Sequence, residues 1–328
     1  MTGVQLHRPV VSVVIPTRFR PELVTRAVQS ALAQSLEAIE VIVVIDGPDE
    51  VTEEALQAIK DPRVRVLALE ENVGGSEARN IGIRAAQSAW IALLDDDDEW
   101  HQEKLAKQLA AAQSLSGSRV IVTCQYYDDK GATRLLRPRT FPRPGEAISD
   151  FLYSKVSWLG TIEGFPQTST WFVSRGLLLK VPFRKGLKRN QDTDWILQAL
   201  QLSGVKTFLV QEPLSIFHNE VKRKRITQVP DWKDSYNWAM HNKHLFTPQA
   251  LSCFLAIMCM NHAGKGGMQW RVFFTLLRDC RTYGRITPKV VWLLVLYGLV
   301  YPNLRQFISP ERRQAMLYRA SSAGRSTP

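Results

Sequence analysis

The segment Trp90-Ile91-Ala92-Leu93-Leu94 runs without a break into Asp95-Asp96-Asp97-Asp98. A short, continuous apolar run reads as a strand covered on both faces, as in a parallel sheet. The carboxylates mark the point where that strand breaks surface. Four adjacent carboxylates repel one another, so their loop is either well solvated or holds a cation. Carboxylate oxygens suit hard divalent ions such as Mg²⁺ and Mn²⁺, which are commonly bound by one or two carboxylates plus substrate phosphates. Taken alone, the run leaves both readings open.

The surrounding pattern narrows the choice. Val10 to Ile15 reads as a first buried strand ending at Pro16-Thr17, and Pro21-Glu22-Leu23 opens an amphipathic helix. Ile39 to Ile45 reads as a second strand, stopped by the turn-rich Asp46-Gly47-Pro48-Asp49. A helix over Val51 to Ile59, a strand over Val64 to Leu69 and a loop at Asn72–Ser76 come next, and a helix over Glu77 to Gln87 leads to the strand before the acidic run. Such alternation predicts an α/β fold with a doubly wound, mostly parallel central sheet. Ligands of these sheets gather beyond the carboxyl ends of the strands. Thr17, Asp46, Asn72 and Asp95 all occupy that position, so four strand ends are expected around one crevice.

Four motifs stand in register: Val11-Ser12-Val13-Val14-Ile15-Pro16-Thr17; Val43-Val44-Ile45-Asp46-Gly47; Asn72-x-Gly74-x-Ser76-x-Ala78-Arg79-Asn80-x-Gly82; and Leu94-Asp95-Asp96-Asp97-Asp98-x-Trp100. Together they resemble the nucleotide-sugar half of family 2 glycosyltransferases, which have the GT-A fold. The match is close over residues 10–110 and looser to about residue 220. It implies a catalytic domain over 1–235, with a nucleotide-sugar half (10–110) and an acceptor half (111–235), and a basic, apolar helical appendage over 236–328. The resemblance further implies a nucleotide diphosphate sugar donor, UDP being the expected carrier, held with the help of a divalent cation, Mn²⁺ or Mg²⁺. Pro16, Thr17, Arg18 and Asp46 match the base-binding region. Arg79 matches a position near the ribose or diphosphate. Members often carry two acidic residues before the glycine of the second motif, and here the first is Ile45, which leaves Asp46 alone. In the acidic run, Asp95 corresponds to the donor-binding acid and Asp97 to the metal ligand, while Asp96 competes as a further donor contact.

After the acidic run, Glu103 to Leu115 reads as an amphipathic helix, Val120 to Gln125 as a strand, residues 128–150 as a long irregular connection, and Thr168 to Ser174 as β-rich. Asn190-Gln191-Asp192-Thr193-Asp194-Trp195 opens another amphipathic helix. An Asp at a helix start is ordinarily a cap or a partner of the helix dipole. Family members carry Glu-Asp at this point, with the Asp as general base, and that assigns Asp192 the role here. An amide cannot accept the proton, so Gln191 is at most an acceptor contact; it also removes a charge that would raise the pKa of Asp192. A carboxylate placed to deprotonate an acceptor hydroxyl favours inversion. Asp194 is read as a second acidic contact or a solvated residue. Trp195 is read as stacking on a sugar or packing in the core, with the core favoured. His218, following an apolar strand over Leu209 to Phe217, is a candidate near the metal or diphosphate. Lys222-Arg223-Lys224-Arg225 is a solvated loop or a set of cations closing over phosphates, with Lys222 and Arg223 the nearest candidates.

Charge is unevenly placed. The net charge is +11, and from Glu220 onward 17 Lys/Arg stand against 5 Asp/Glu. This asymmetry points to an anionic partner, here a membrane surface, with no nucleic acid expected. Gln269 to Arg285 places Trp270, Phe273, Phe274 and Leu277 on one helical face and Arg271, Arg278 and Arg285 on another. The apolar run within Pro288 to Val300 is about a dozen residues, short of the about 20 a spanning helix needs. These helices are either interfacial or a packed lid. The four scattered cysteines lack metal spacing and read as reduced, buried thiols. The polar start carries no signal-peptide pattern, so the expected location is cytoplasmic and peripheral on the inner face of a membrane. A lipid-linked or envelope glycan is then the expected acceptor. A metal-dependent nucleotidyltransferase would want a glycine- and lysine-rich loop after the first strand, and Pro16-Thr17-Arg18-Phe19-Arg20 has no glycine. A nucleic-acid-binding protein using the basic tail would leave the acidic run without a purpose.

Overall fold

The computed structural model describes residues 8–160, 162, 167–219, 232–265, 267 and 269–303. The chain divides into two compact units, Met1–Arg137 with Pro166–Glu220, and Pro138–Phe165 with Val221–Pro328. The boundary thus falls near 221, and the 138–165 segment joins the C-terminal helices.

In the first unit the chain order is β1 (Val11–Thr17), α1 (Pro21–Leu32), β2 (Ile39–Ile45), α2 (Glu50–Gln57), β3 (Val64–Ala68), α3 (Gly75–Ala85), β4 (Trp90–Leu93), β5 (Glu99–Trp100), α4 (Lys104–Ser114), β6 (Val120–Asp129) and β7 (Arg134–Arg137). The chain then leaves for the second unit, where it forms α5 (Ile148–Tyr153), and returns with β8 (Phe172–Ser174), α6 (Arg175–Lys180), α7 (Gln191–Ala199) and β9 (Lys206–His218). Every residue of β2 is buried, and only Pro16 of β1 is partly open, because helices cover both faces of a parallel sheet. The strand order is β3-β2-β1-β4-β8-β6-β9-β5, with β7 on β6. The β3-β2-β1-β4 half is wholly parallel. β8 then runs antiparallel to both β4 and β6, β6 and β9 are parallel, and β5 runs antiparallel to β9.

Two features position the crevice. β1 lies between β2 and β4, so strand order reverses there, and the carboxyl ends of β1 and β4 flank the switch point where ligands of open α/β sheets bind. α3 lies tight on the sheet because Gly82 has no side chain: a Cβ there would sit 2.5 Å from Val14 Cγ1 and 3.2 Å from Val44 Cγ2. The stretch expected to be irregular is partly ordered. β6 runs on to Asp129, whose carboxylate accepts from Gly131 N at 2.9 Å and pairs with Arg134 at 2.7 Å, which closes the hairpin to β7.

The second unit adds α8 (Lys233–His241), α9 (Pro248–Phe254), a π-helical turn (Leu255–Cys259), α10 (Met260–Gly264), α11 (Trp270–Tyr283), α12 (Pro288–Val295) and a closing π-helical turn (Leu296–Val300). Tyr153, Trp238, Phe246 and Phe254 form its aromatic centre. α5 belongs here because Ser149 and Asp150 accept from the backbone and hydroxyl of Thr247, the cap of α9. Val290, Leu293, Leu294, Leu296 and Tyr297 are buried, so one side of the apolar run of 288–300 is core, while Trp292 is exposed. Tyr297 donates to Gly160 O at 2.7 Å, and its ring leaves no room for a side chain on Gly160. Cys124, Cys253, Cys259 and Cys280 are free and buried. Among the described residues no helix is long and apolar enough to cross a membrane.

Replacing Gly82 by Ala forces α3 off β1 and β2. Urea denaturation is expected to show a loss of about 1–3 kcal/mol, the usual cost of overpacking; unchanged stability would mean that the helix–sheet contact yields freely.

Candidate active site

The four aspartates leave the end of β4 together and meet four different fates. Asp95 is partly exposed and pairs with Arg79 at 2.5 Å, while its own amide donates to Ser169 Oγ at 3.0 Å. Asp96 turns back under β1: it accepts from Thr17 Oγ1 and from Arg20 at 2.8 Å each. Burial pushes its pKa up to about 6, despite the nearby Arg20 charge. Asp97 is partly exposed, 3.7 Å from Arg20, and its backbone carbonyl accepts from Arg26 at 2.9 Å. Asp98 is wholly buried and accepts from Gln167, from Ser169 Oγ at 2.6 Å and from the His218 amide at 3.3 Å. Burial, reinforced by the charges of Asp97 and Asp95, pushes its pKa well above the ordinary carboxylate range.

The remaining predicted residues separate into those that reach the crevice and those that do not. Arg79 bridges two elements, donating to Asp95 and, at 2.9 Å, to the Gln191 side-chain carbonyl, with its guanidinium over the Phe183 ring. Gln191 in turn donates to Leu187 O at 2.6 Å, so it fixes the start of α7. Asn190 adopts a left-handed backbone (φ 59°) just before that helix. Asp192, in the first turn, is partly buried and accepts from the Thr193 amide at 2.9 Å. Burial, with the Asp95 charge adding and Arg79 opposing, raises its pKa to about 6. The charge lost at Gln191 therefore does not leave Asp192 an ordinary carboxylate, because burial is the larger effect.

Asp46 is buried, and its carboxylate accepts from Asn72 Nδ2 (2.9 Å), Val73 N (2.7 Å) and Gly74 N (3.1 Å). It holds the 72–74 loop and has little left for a base. Gly47 (φ +102°) lets that loop approach: a Cβ would lie 3.1 Å from Asn72 N. Pro16 is partly buried and Thr17 is turned to Asp96, whereas Arg18 is exposed at the rim beside Phe19. The reading of Trp195 as a core residue agrees with the structure, and that of Asp194 as an acidic contact or solvated residue needs correction. Asp96 is buried, and each of its two oxygens already accepts one bond, from Thr17 and from Arg20. Trp195 is buried, packed against Trp171 and Phe183, with its indole N–H on Val181 O at 2.7 Å, so it cannot stack on a sugar. Asp194 is buried and paired with Arg184 at 3.1 Å, and it accepts from Gln198 at 2.6 Å. His218 gives its ring to Glu99 at 2.6 Å. Lys222 and Arg223 lie outside the described residues.

The sequence matches the family model described as glycosyl transferase family 2 over residues 12–180. The chain belongs to that family. It is 28% identical over 274 residues to the putative colanic acid biosynthesis glycosyl transferase WcaA of Escherichia coli, covering 83% of this chain and 94% of that one. The amylovoran biosynthesis glycosyltransferase AmsB of Erwinia amylovora is likewise 28% identical, covering 82% and 92%. The succinoglycan biosynthesis protein ExoO of Rhizobium meliloti is 40% identical over 114 residues, which is 35% of this chain and only 32% of that protein. Among solved structures, S. aureus TarS 1–349 in complex with UDP-GlcNAc superposes with a TM-score of 0.56 at 16% identity, covering 89% of this chain and 92% of that one. The mannosyltransferase PcManGT of Pyrobaculum calidifontis, in complex with GDP-Man and Mn²⁺, gives 0.54 at 15% identity, covering 92% and 88%. The fold is therefore GT-A-like, and the protein is a glycosyltransferase.

In this family 2 enzyme the donor set fits a hard divalent cation. Asp95, Asp97 and Asp98 each offer an oxygen within 4.8 Å of the others, all donors are carboxylates, and the like charges need a counter-charge. The set includes Asp98, which the uniform acidic run left undecided, and neither Asp96 nor His218 belongs to it. Gln167, Ser169 and Trp100 were also missed. Trp100 Nε1 donates to Ser169 O at 2.7 Å, and Ser169 bonds both Asp95 and Asp98, so a short turn far along the chain holds the acidic loop. Only the Trp100 next to the acidic run offered any signal. Asp98→Asn is expected to keep the fold, since burial already disfavours the charge, yet to weaken Mn²⁺ binding at least tenfold by calorimetry. Unchanged Mn²⁺ affinity would remove Asp98 from the donor set.

Proposed function

We propose that this glycosyltransferase moves a sugar from a nucleotide diphosphate sugar, UDP-linked, to a hydroxyl of a lipid-linked or cell-envelope glycan, with inversion at the anomeric carbon. The observation that carries the reading is the meeting of Asp95, Arg79 and Asp192 at one end of the sheet, next to Asp97. Asp192 is the general base: ionised, it takes the proton from the acceptor hydroxyl as that oxygen attacks. Arg79 faces the donor's diphosphate side, and Gln191 keeps it aimed. Asp95 and Asp97, with Asp98 beneath, would hold Mn²⁺ or Mg²⁺, which supplies Lewis-acid neutralisation of the departing nucleoside diphosphate. Thr17, Pro16 and the exposed Arg18 border the base, and Asp46 acts there by holding the 72–74 loop.

Several likenesses support the substrate classes. Relatives named for colanic acid, amylovoran and teichuronic acid biosynthesis point to an envelope or extracellular polysaccharide. The TarS structure with UDP-GlcNAc supports a uridine carrier, and the mannosyltransferase with Mn²⁺ supports the cation. The proposed location is cytoplasmic, peripheral on the inner face of the membrane.

Calorimetric titration of UDP-, GDP- and dTDP-sugars with and without Mn²⁺ is expected to give Mn²⁺-dependent binding of a UDP-sugar; no binding of any nucleotide sugar would end the reading. Asp192→Asn is expected to lower turnover by at least about 10²-fold with donor affinity nearly intact. Loss of donor binding to the same extent would make Asp192 a structural residue instead.

A second test uses pH. A base whose pKa is about 6 is protonated and idle below that value, so activity should rise with pH through about 6 and level off above it. For stability the sign is opposite. A carboxyl whose folded pKa is raised favours the folded state below its unfolded value of 3.8, and that contribution is lost as pH rises through about 6. Asp192→Asn should therefore be more stable than the parent at pH 8, by on the order of 1 kcal/mol after allowance for its partial exposure. A flat rate profile between pH 5 and 8 would count against Asp192 as the base.

A further inference from the structure

The outer face of α11 carries exposed aromatic rings next to arginines. At helical spacing, the buried residues Val272, Phe273, Leu276, Asp279 and Cys280 occupy one side. Trp270, Phe274, Arg278 and Arg281 follow one another at intervals of four, four and three, which puts them in a single strip on the opposite side, with Arg271 flanking it. The sequence pattern had grouped Trp270 and Phe274 with Phe273 as one apolar face. The fold splits them: Phe273 goes inward, while Trp270 and Phe274 remain 50% and 60% exposed. Their rings stack on each other, with centroids 6.2 Å apart and planes 24° from parallel. Tyr283 and Ile286, at and just beyond the helix end, are exposed as well.

Charge on this face has one sign. From Gln269 to Leu293 the one acidic residue is Asp279, which is buried and taken by Tyr236 and Arg278. Among the described residues Arg271, Arg281 and Arg285 have no carboxylate in ion-pair reach. All three exposed tryptophans of the described chain, Trp158, Trp270 and Trp292, fall in this second unit. Tryptophan and tyrosine favour the level of lipid headgroups, and arginines there meet anionic phosphates.

We infer that the outer strip of α11 is an anionic-lipid docking surface, with Trp270 and Phe274 entering the headgroup layer and Arg271 and Arg281 meeting lipid phosphates. Nucleic acid is the less suitable occupant. Single strands need aromatic faces free for bases to stack on, whereas Trp270 and Phe274 stack on each other as one apolar wedge on a convex helix. The strip deepens the proposed peripheral location and is independent of the catalytic assignment, since none of its residues belongs to the active site.

The test uses the full chain and flotation with two vesicle types, phosphatidylcholine alone and phosphatidylcholine with 30% phosphatidylglycerol. The parent is expected to float only with the anionic vesicles, and raised salt should weaken that binding. The double variant Trp270→Ala/Phe274→Ala should lose at least tenfold in partitioning, and Arg281→Glu should lose more than Arg281→Lys, because about fivefold follows each cation removed near an anionic surface. Calorimetric binding of a UDP-sugar by each variant serves as the folding control, so failure of the strip and failure of the donor reading give different results. Absence of flotation by the parent, equal flotation with both vesicles, undiminished flotation by the double variant, or displacement of vesicles by single-stranded oligonucleotide would each overturn the inference.

Discussion

Placing four carboxylates side by side at the end of a buried strand is an electrostatic problem, and the structure solves it once for each residue. In a medium of low effective dielectric, neighbouring like charges repel by several kcal/mol, so the loop survives only if each acid finds a counter-charge, donors, water or a proton. Asp95 takes Arg79 and Asp96 takes Arg20 with Thr17. Asp97 stays partly open, and Asp98 is buried on Gln167 and Ser169. The result is a graded set. The inner acids are tied into the scaffold, and the outer pair, Asp95 and Asp97, is partly exposed at the crevice.

That arrangement depends on segments that are distant in sequence. Ser169 reaches the loop because β8 lies between β4 and β6, and Trp100 reaches Ser169 because β5 pairs with the end of β9. Beneath them, the buried Lys104 ammonium sits over the Trp100 ring and donates to Gln108, which donates in turn to Thr170 O. Burial lowers the Lys104 pKa to about 8. A cation under the indole and a hydrogen-bonded turn beside it keep the platform of the acidic loop in one conformation. Preorganisation of this kind is what a site for developing charge requires.

How far the sequence alone revealed this follows from the range of each signal. The parallel half was legible because period and burial are local: Val11–Thr17, Ile39–Ile45 and Trp90–Leu93 are apolar apart from Ser12, Thr17 and Glu40, and each leads to a polar or turn residue. The helix that carries Asp192 in its first turn was legible through its place in a motif. Asp98 was not, because four identical residues in a row carry no clue to which will face Thr17, Gln167 or the solvent; side-chain direction is decided by partners some 70 residues away or more. Trp270 and Phe274 were misgrouped for a related reason. The helix carries apolar residues around much of its circumference, and only packing against α9, α10, α12 and the π-helical turn at Leu255–Cys259 selects Val272, Leu276 and Cys280 as its inner side. Residues 128–150 concealed both β7 and α5, since a hairpin closed by Asp129 and Arg134 and a six-residue helix have little periodicity to detect.

Gln191 shows how one neutral substitution tunes the site. Arg79 needs a second acceptor to stay aimed between α3 and α7, and either a carboxylate or an amide at 191 could provide it. A carboxylate would place another negative charge beside Asp192, whose pKa burial and Asp95 have already raised to about 6. Each further unit of upward shift would keep ten times more of that acid protonated near neutral pH, and a protonated acid cannot act as a base. The amide accepts the same hydrogen bond without that penalty. It also leaves the Arg79 charge to be shared between Asp95 and the anionic groups the crevice admits. The departure from the usual acidic pair at 191–192 thus fits the base proposed at 192, because Gln191 keeps the geometry and removes the charge.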